Sequence, residues 1–91
     1  METHEYRTSD LYEASALVTC GFDVLRLEPT SRGPLEFLFS NSEELYDVIN
    51  NFSNGRLMVN VKTYMSAWRQ LRRRLDQEGM RNGNERYNHR K

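Results

Sequence analysis

The feature that most constrains this chain is an apolar stripe near its C-terminal end. Five apolar residues follow one another at steps of three, four, three and four: Val61, Tyr64, Trp68, Leu71 and Leu75. Residues at this spacing lie on one side of an α-helix, so the pattern predicts a helix over residues 61–78 that ends at Gly79. Because most other residues of this segment are polar or charged, the stripe must be covered by the rest of the chain.

The chain has enough apolar material to supply that cover. Its 91 residues suffice for one domain with one core, and 37% of them are hydrophobic. This composition predicts a folded domain rather than a disordered chain. We expect a single domain over residues 1–79 and a flexible basic tail over residues 80–91, which show no apolar periodicity.

Two segments in the first half of the chain have strand character. Residues 22–28 and 35–40 are rich in residues that favour strands, and they flank residues 29–34, which include two prolines and a glycine. This arrangement predicts an antiparallel hairpin with a six-residue loop. Leu25 and Leu27 share one face of the first strand, and the apolar face of the second is formed by Leu35, Phe37 and Phe39.

Two further helices are predicted, over residues 9–20 and 42–53. Asp10 followed by Glu13 is the pattern of a capping box, and Gly21 is a natural helix end. The second helix has an apolar stripe at the spacing i, i+3, i+4, i+7, formed by Leu45, Val48, Ile49 and Phe52.

Residues 56–60 fit two interpretations. Leu57 and Val59 alternate with other residues, which favours a short third strand over an extended connector. The predicted order is therefore helix, strand, strand, helix, optional strand, helix. Such an order predicts a small two-layer α+β domain in which the hairpin packs against three helices.

The charges of the chain are segregated although their sum is zero. Residues 1–55 carry three basic and ten acidic side chains, a balance of −7, and residues 56–91 carry ten basic and three acidic ones, a balance of +7. This segregation predicts a basic surface for an anionic partner or an acidic surface for a basic partner. Attraction between the two halves within the fold explains it equally well.

Arginines in the last predicted helix are the strongest functional signal. Four of them lie within six residues, and a fifth follows in the predicted tail. The planar guanidinium group matches the geometry of phosphate, so this density favours contact with nucleic acid. The predicted contact residues are Arg69, Arg72, Arg73, Arg74 and Arg81. A solvated face balanced by acidic residues and a protein-binding face remain as alternatives.

No catalytic or metal-binding arrangement is recognisable in the sequence. His4 and His89 lie near opposite ends, and neither has a Cys or a second His at a ligand spacing. Cys20 is the single cysteine, at the end of the first predicted helix, where the dipole disfavours a thiolate, so we expect a buried structural thiol. We therefore expect no enzymatic activity, no metal and no cofactor.

The sequence also predicts a cytoplasmic protein without membrane association. Its N-terminus is polar and acidic, unlike a signal peptide, and no apolar run approaches the roughly 20 residues that cross a bilayer. A single cysteine cannot form an internal disulfide, which is consistent with a reducing compartment.

Four short motifs stand out along the chain. Tyr-Arg-Thr-Ser-Asp-Leu-Tyr occupies residues 6–12, Ala-Leu-Val-Thr-Cys-Gly residues 16–21, Leu-Glu-Phe-Leu-Phe residues 35–39, and Tyr-Met-Ser-Ala-Trp-Arg-Gln-Leu-Arg residues 64–72. Together they resemble a small bacterial and phage family that is catalogued only as a domain of unknown function, over roughly residues 6–78. The resemblance implies a stand-alone module, often from phage or mobile elements, and carries over no site residue.

Two function hypotheses follow. In the first, the protein is a small nucleic-acid-associated accessory or regulatory factor of phage or mobile-element type that uses the basic last helix and the tail. In the second, it is a protein-binding inhibitor or adaptor, such as a phage anti-defence protein, whose acidic first half occupies a basic site on a nucleic-acid-handling enzyme. No helix-turn-helix signature is evident, which disfavours sequence-specific reading of DNA.

Overall fold

The computed structural model describes residues 5–31 and 33–82, with side chains described as far as residue 78. Three helices and a three-stranded antiparallel sheet confirm the predicted small α+β domain. In chain order the elements are β1 (Glu5–Thr8), α1 (Leu11–Thr19), β2 (Val24–Pro29), β3 (Leu35–Ser40), α2 (Glu43–Ser53) and α3 (Val61–Asn82).

The sheet has β3 at its centre and β1 and β2 at its edges. The predicted hairpin of β2 and β3 is confirmed, and Leu27 lies opposite Phe37 in its register. On the other side of β3, Tyr6 of β1 lies opposite Phe39, and Thr8 lies opposite Phe37. Each edge strand therefore places apolar or buried side chains beside the two phenylalanines of the central strand.

The third strand lies ahead of α1, not between α2 and α3. Residues 56–60 form the extended connector that was the alternative interpretation, and the backbone N–H groups of Arg56 and Leu57 donate to the Asn51 carbonyl at 2.8 and 3.1 Å. The connector is thus tied to the last turn of α2 and joins no strand. β1 has only four residues, and Tyr6 is its one aromatic or aliphatic side chain, so no apolar alternation marks it in the sequence.

A bulge in β2 changes which of its residues face the core. Val24 pairs with Phe39, Arg26 pairs with the neighbouring residue of β3, and Leu25 between them has no partner. Leu25 is 48% exposed, whereas Val24 and Leu27 pack against the core. The predicted common face of Leu25 and Leu27 is wrong because the extra residue shifts the alternation of side chains by one.

α1 begins and ends close to its predicted limits. The Asp10 carboxylate accepts hydrogen bonds from two backbone N–H groups of the first turn, at 2.9 and 3.4 Å. Glu13 does not complete a capping box: the Asp10 backbone N–H donates to the Thr8 hydroxyl at 3.1 Å, and the Glu13 carboxylate accepts from the Tyr6 hydroxyl at 3.0 Å. At the other end Gly21 adopts a φ of 102°, which reverses the chain after the helix.

The core lies between the sheet and the helices that cover one of its faces. α1 is its central element, since residues 14–17 are all buried, and it packs against α2 and α3 as well as β1. The buried residues of the core cluster come from α1, β3, α2 and α3: Ala14, Leu17, Phe37, Phe39, Leu45 and Leu71. The apolar faces predicted for these four elements therefore meet in one core.

The buried side of α3 differs from the predicted stripe at one end. Val61 is 74% exposed and takes no part in the core, because it lies in the first turn, ahead of the contact with α1. Ala67, which was not part of the predicted stripe, is buried. Leu71 is buried and Leu75 packs on the core cluster as predicted.

α3 is also longer than the sequence pattern predicts. It continues to Asn82 and passes through Gly79, the predicted end. A single glycine costs a helix interior only about 1 kcal/mol relative to alanine, so it does not by itself stop a helix. Residues 80–82 therefore belong to α3 instead of the predicted tail, and the rest of that tail, residues 83–91, lies outside the described residues.

Candidate functional site

Three cations form a line on the outward side of α3. Lys62, Arg69 and Arg73 are exposed and lie opposite Leu71, since the helix turns by about 100° per residue. We call these three residues the basic row. At about 1.5 Å per residue the row extends over about 16 Å of the helix surface.

The start of α3 is held in place on two sides. The Asn60 side-chain carbonyl accepts hydrogen bonds from the Thr63 backbone N–H at 3.0 Å and from its hydroxyl at 3.3 Å, which caps the helix. The Tyr64 hydroxyl donates to the Tyr12 carbonyl of α1 at 3.1 Å, and burial raises the pKa of Tyr64. The basic row is thus presented by a helix that is fixed to the domain.

The four predicted contact residues whose side chains are described do not all lie on one face of α3. Arg69 and Arg73 lie in the basic row, together with Lys62, which was not among the predicted contacts. Arg74 is half-buried on the opposite flank of α3 from Arg72. Arg81 lies in the last turn of α3, and its side chain is outside the described part.

Arg72 has partners on its own helix. Its guanidinium carbon lies 6.0 Å from the centroid of the Trp68 ring, and its Nε atom lies 3.5 Å from the Asp76 carboxylate. The Trp68 indole Nε1 is buried and has no hydrogen-bond acceptor among the described residues. Arg72 is therefore less available to an external anion than the arginines of the basic row.

The outer face of the sheet has its own network of charges. Arg26 contacts Glu5 at 2.9 Å and Glu28 at 2.7 Å, and Arg7 contacts Glu28 at 3.2 Å and Glu36 at 3.4 Å. The hydrogen bond from Arg26 lowers the pKa of Glu28, and the hydrogen bond to Glu5 raises the pKa of Arg26. These five residues, which we call the sheet network, form ion pairs with one another.

The sheet network also covers an apolar residue. Leu38 points away from the core side of β3 and is nevertheless fully buried. Its cross-strand neighbours are Arg7 on one side and Arg26 on the other. The aliphatic parts of the two arginines cover Leu38 while their charged ends stay in water. This face of the sheet is therefore covered by charged side chains that pair with one another.

In the described part of the chain, the acidic first half and the basic second half do not pair with each other. Among the described side chains, no ion pair joins an arginine of α3 to a carboxylate in residues 5–55, and none involves Arg69, Arg73 or Arg74. α2 carries an acidic surface of its own, formed by the exposed Glu43, Glu44 and Asp47. Among the residues whose side chains are described, direct pairing therefore does not explain the segregation of charge.

A polar groove lies between the end of α1 and the first half of α3. It has a volume of about 410 Å³ and carries hydroxyl, amide and ammonium groups on an apolar floor. Its lining residues are Val18, Thr19, Asn60, Lys62, Thr63, Ser66, Ala67 and Gln70. Only Lys62 carries a charge among them. In the sequence, small and polar residues on this flank of the last helix were the one signal that could indicate the groove. The groove forms only because α1 packs beside them, which the sequence pattern does not show.

The histidines and the cysteine offer no catalytic arrangement in the described part of the chain. Cys20 is exposed at the end of α1, so the predicted burial of its thiol is wrong, although partial desolvation raises its pKa. No group of three or more His, Cys, Asp or Glu side chains in that part is placed to hold a metal. His4 and His89 lie outside it. None of its helices is long and apolar enough to cross a membrane.

Comparison with known proteins identifies one family. The family model that matches the chain is described as Domain of unknown function (DUF5659), and the match covers residues 3–77. These residues include β1 to α2 and most of α3, with the whole of the basic row and the groove. No curated protein and no solved structure matches the chain.

Proposed function

The chain belongs to the family described as Domain of unknown function (DUF5659), and we propose that it is a small non-catalytic binding protein that associates with nucleic acid through the basic row of α3. One observation carries this proposal: Arg69 and Arg73 are exposed on a fixed helix, and neither pairs with a described carboxylate.

The energetic reason is the density of like charge. Arg69 and Arg73 are four residues apart, so their side chains are neighbours on the helix surface, and like charges at this spacing destabilise a helix. Phosphate groups relieve that repulsion and release counterions when they bind. Because the row lies on one convex helix face, we expect it to contact the backbone of the nucleic acid and to bind many sequences alike.

The test is the salt dependence of binding to a short duplex DNA. The affinity of the native protein should fall steeply between about 50 and 200 mM salt, with a log–log slope of about −0.9 for each phosphate contacted. Arg69→Gln and Arg73→Gln should each make the slope shallower by about one contact. Arg73→Lys keeps the charge and should retain most of the slope.

Arg56→Gln is the matched control. Arg56 is exposed, it lies in the connector outside α3, and its loss removes the same charge. It should leave the slope unchanged. The combined variant Arg69→Gln/Arg73→Gln/Arg74→Gln should bind weakly to all sequences and remain folded by circular dichroism. If the native protein shows no binding at the lower salt, the nucleic-acid proposal is wrong.

The acidic surface of α2 supports a second candidate, a protein-binding inhibitor or adaptor. Glu43, Glu44 and Asp47 are exposed beside Tyr46, which is 44% exposed, and no described arginine pairs with them. Such a surface fits a basic site on a nucleic-acid-handling enzyme, as in phage anti-defence proteins. Recovery of one partner from host extract that resists nuclease and is lost in Glu43→Gln/Glu44→Gln would support this candidate over the first.

Both candidates are compatible with the cytoplasmic setting and the phage or mobile-element origin that the sequence led us to expect. Nucleic acid and the enzymes that act on it are accessible to a protein in that compartment. The proposal therefore includes the cytoplasmic setting and the phage or mobile-element origin. Purification of the protein, with its bound material, from its native host is the measurement that checks them.

A further inference from the structure

The polar groove carries hydrogen-bonding groups that make no bond within the described part of the chain. Ser66 and Gln70 make no side-chain hydrogen bond with any described residue. Asn60 uses its side-chain oxygen to cap α3, and its amide NH₂ makes no bond in the described part. Thr19 donates its hydroxyl proton to the Ser15 carbonyl at 2.7 Å, which leaves the oxygen lone pairs as acceptors.

The lining of the groove favours an occupant with a neutral polar group that carries an anionic group next to it. Hydroxyl and amide groups both donate and accept hydrogen bonds, so they match sugar hydroxyls and base edges. No carboxylate and no aromatic ring is among the described lining residues. An anionic occupant would therefore meet no carboxylate among these lining residues and would be held by hydrogen bonds, without stacking on an aromatic side chain.

The basic row forms one border of this groove. Lys62 belongs to both the row and the lining. Arg69 lies three residues after Ser66, and Arg73 lies three residues after Gln70, so each arginine is a surface neighbour of a groove residue. A phosphate held by the row would thus place the sugar and base attached to it at the mouth of the groove.

We propose that the groove accepts one unpaired nucleotide of a single-stranded nucleic acid whose phosphates lie along the basic row. This inference rests on the proposed function and adds the class of nucleic acid. In a duplex the bases are stacked and paired, and their hydrogen-bonding edges cannot enter a recess beside the backbone contacts. A single strand can turn one nucleotide into the recess while its neighbours keep their phosphates on the row.

The experiment compares the affinity of the full chain for a labelled single-stranded oligodeoxynucleotide and for its duplex, by fluorescence anisotropy at low salt. The native protein should bind the single strand at least about tenfold more tightly. A mononucleotide measured in parallel distinguishes a free nucleotide from one in a strand, and it should bind far more weakly because it reaches only part of the row.

Two glutamines provide a matched pair of variants. Gln70 lines the groove, and Gln77 lies two turns further along the same side of α3, exposed and outside the groove. Gln70→Leu should weaken single-strand binding by about three- to tenfold, the effect of losing one or two hydrogen bonds, without changing the salt slope. Gln77→Leu should change neither. Ser66→Phe fills the groove and should remove the preference for the single strand while duplex binding persists.

The outcomes separate this inference from the proposed function. Equal binding of single strand and duplex, unaffected by Gln70→Leu and Ser66→Phe, overturns the groove inference and leaves the basic row in place. A mononucleotide that binds as tightly as the single strand also overturns it. No binding of any probe by the folded native protein overturns both proposals.

Discussion

Phe37 and Val61 show how differently two apolar residues contribute to this fold. Phe37 is fully buried at the centre of the sheet, opposite Thr8 of β1 and Leu27 of β2, whereas Val61 is 74% exposed. Trp68 is intermediate, because it is half-buried and its buried Nε1 has no described acceptor. Burial in the folded chain, more than apolar character, decides what each of these residues contributes to stability.

Replacement of Phe37 by alanine tests the assignment of the core. We expect Phe37→Ala to lower the free energy of unfolding by about 3–5 kcal/mol, because it removes a buried ring and leaves a cavity. Val61→Ala removes methyl groups that already face water and should change the value by less than about 0.5 kcal/mol. Urea unfolding of both variants is the measurement. A similar loss for both variants would mean that the core is assigned wrongly.

Among the elements, the sheet has two faces of different chemistry. One face contributes Phe37 and Phe39 to the core, and the other carries the sheet network over Leu38. Without the network, Leu38 at the centre of this outer face would be exposed to water. The network closes that face with charged side chains and leaves β1 and β2 as short edge strands, which limits pairing with other chains.

Acid should weaken the sheet network. Arg26 lowers the pKa of Glu28 in the folded chain below its ordinary value of 4.5. The resulting stabilisation is present above about pH 4.5 and is lost as the pH falls through the lower folded pKa. Arg26→Gln should therefore be less stable than the native protein at neutral pH, and the difference should shrink in acid.

Urea unfolding at about pH 7 and about pH 3 measures this difference. Arg56→Gln is the control, since it removes the same charge outside the sheet and should show no comparable change with pH. A difference between Arg26→Gln and the native protein that is constant over this range would contradict the role given to the ion pairs.

At the scale of the whole molecule, a net charge of zero conceals two separate charged surfaces. The basic row extends over about 16 Å of α3. The acidic surface of α2 lies on another element and does not pair with the row. A large partner or matrix therefore interacts with each surface separately, and net charge does not describe either interaction.

Ion-exchange chromatography at low salt near the sequence pI of about 6.7 tests this separation. The native protein should be retained on both a cation exchanger and an anion exchanger, although its net charge is near zero. Arg69→Gln/Arg73→Gln should shorten retention on the cation exchanger alone, and Glu43→Gln/Glu44→Gln on the anion exchanger alone. Passage of the native protein through both columns without delay would contradict the presence of two separate charged surfaces.

Local patterns in the sequence determined the helices, the hairpin and the outward position of the row. Helix caps at Asp10 and Ser42, the turn between β2 and β3, and the apolar spacing of α2 and α3 depend on residues within a few positions of each other. Such short-range preferences are present in the chain before it folds, so they can be recognised in the sequence.

Only the tertiary structure decided the features that depend on distant segments. β1 is a strand because β3 offers it an open edge, and Leu25 is displaced because a bulge sets the register. The groove needs α1 against α3, and the exposure of the basic row depends on α3 packing its opposite side, with Leu71, onto the core. Each of these follows from packing between residues far apart in the chain, which no local pattern encodes.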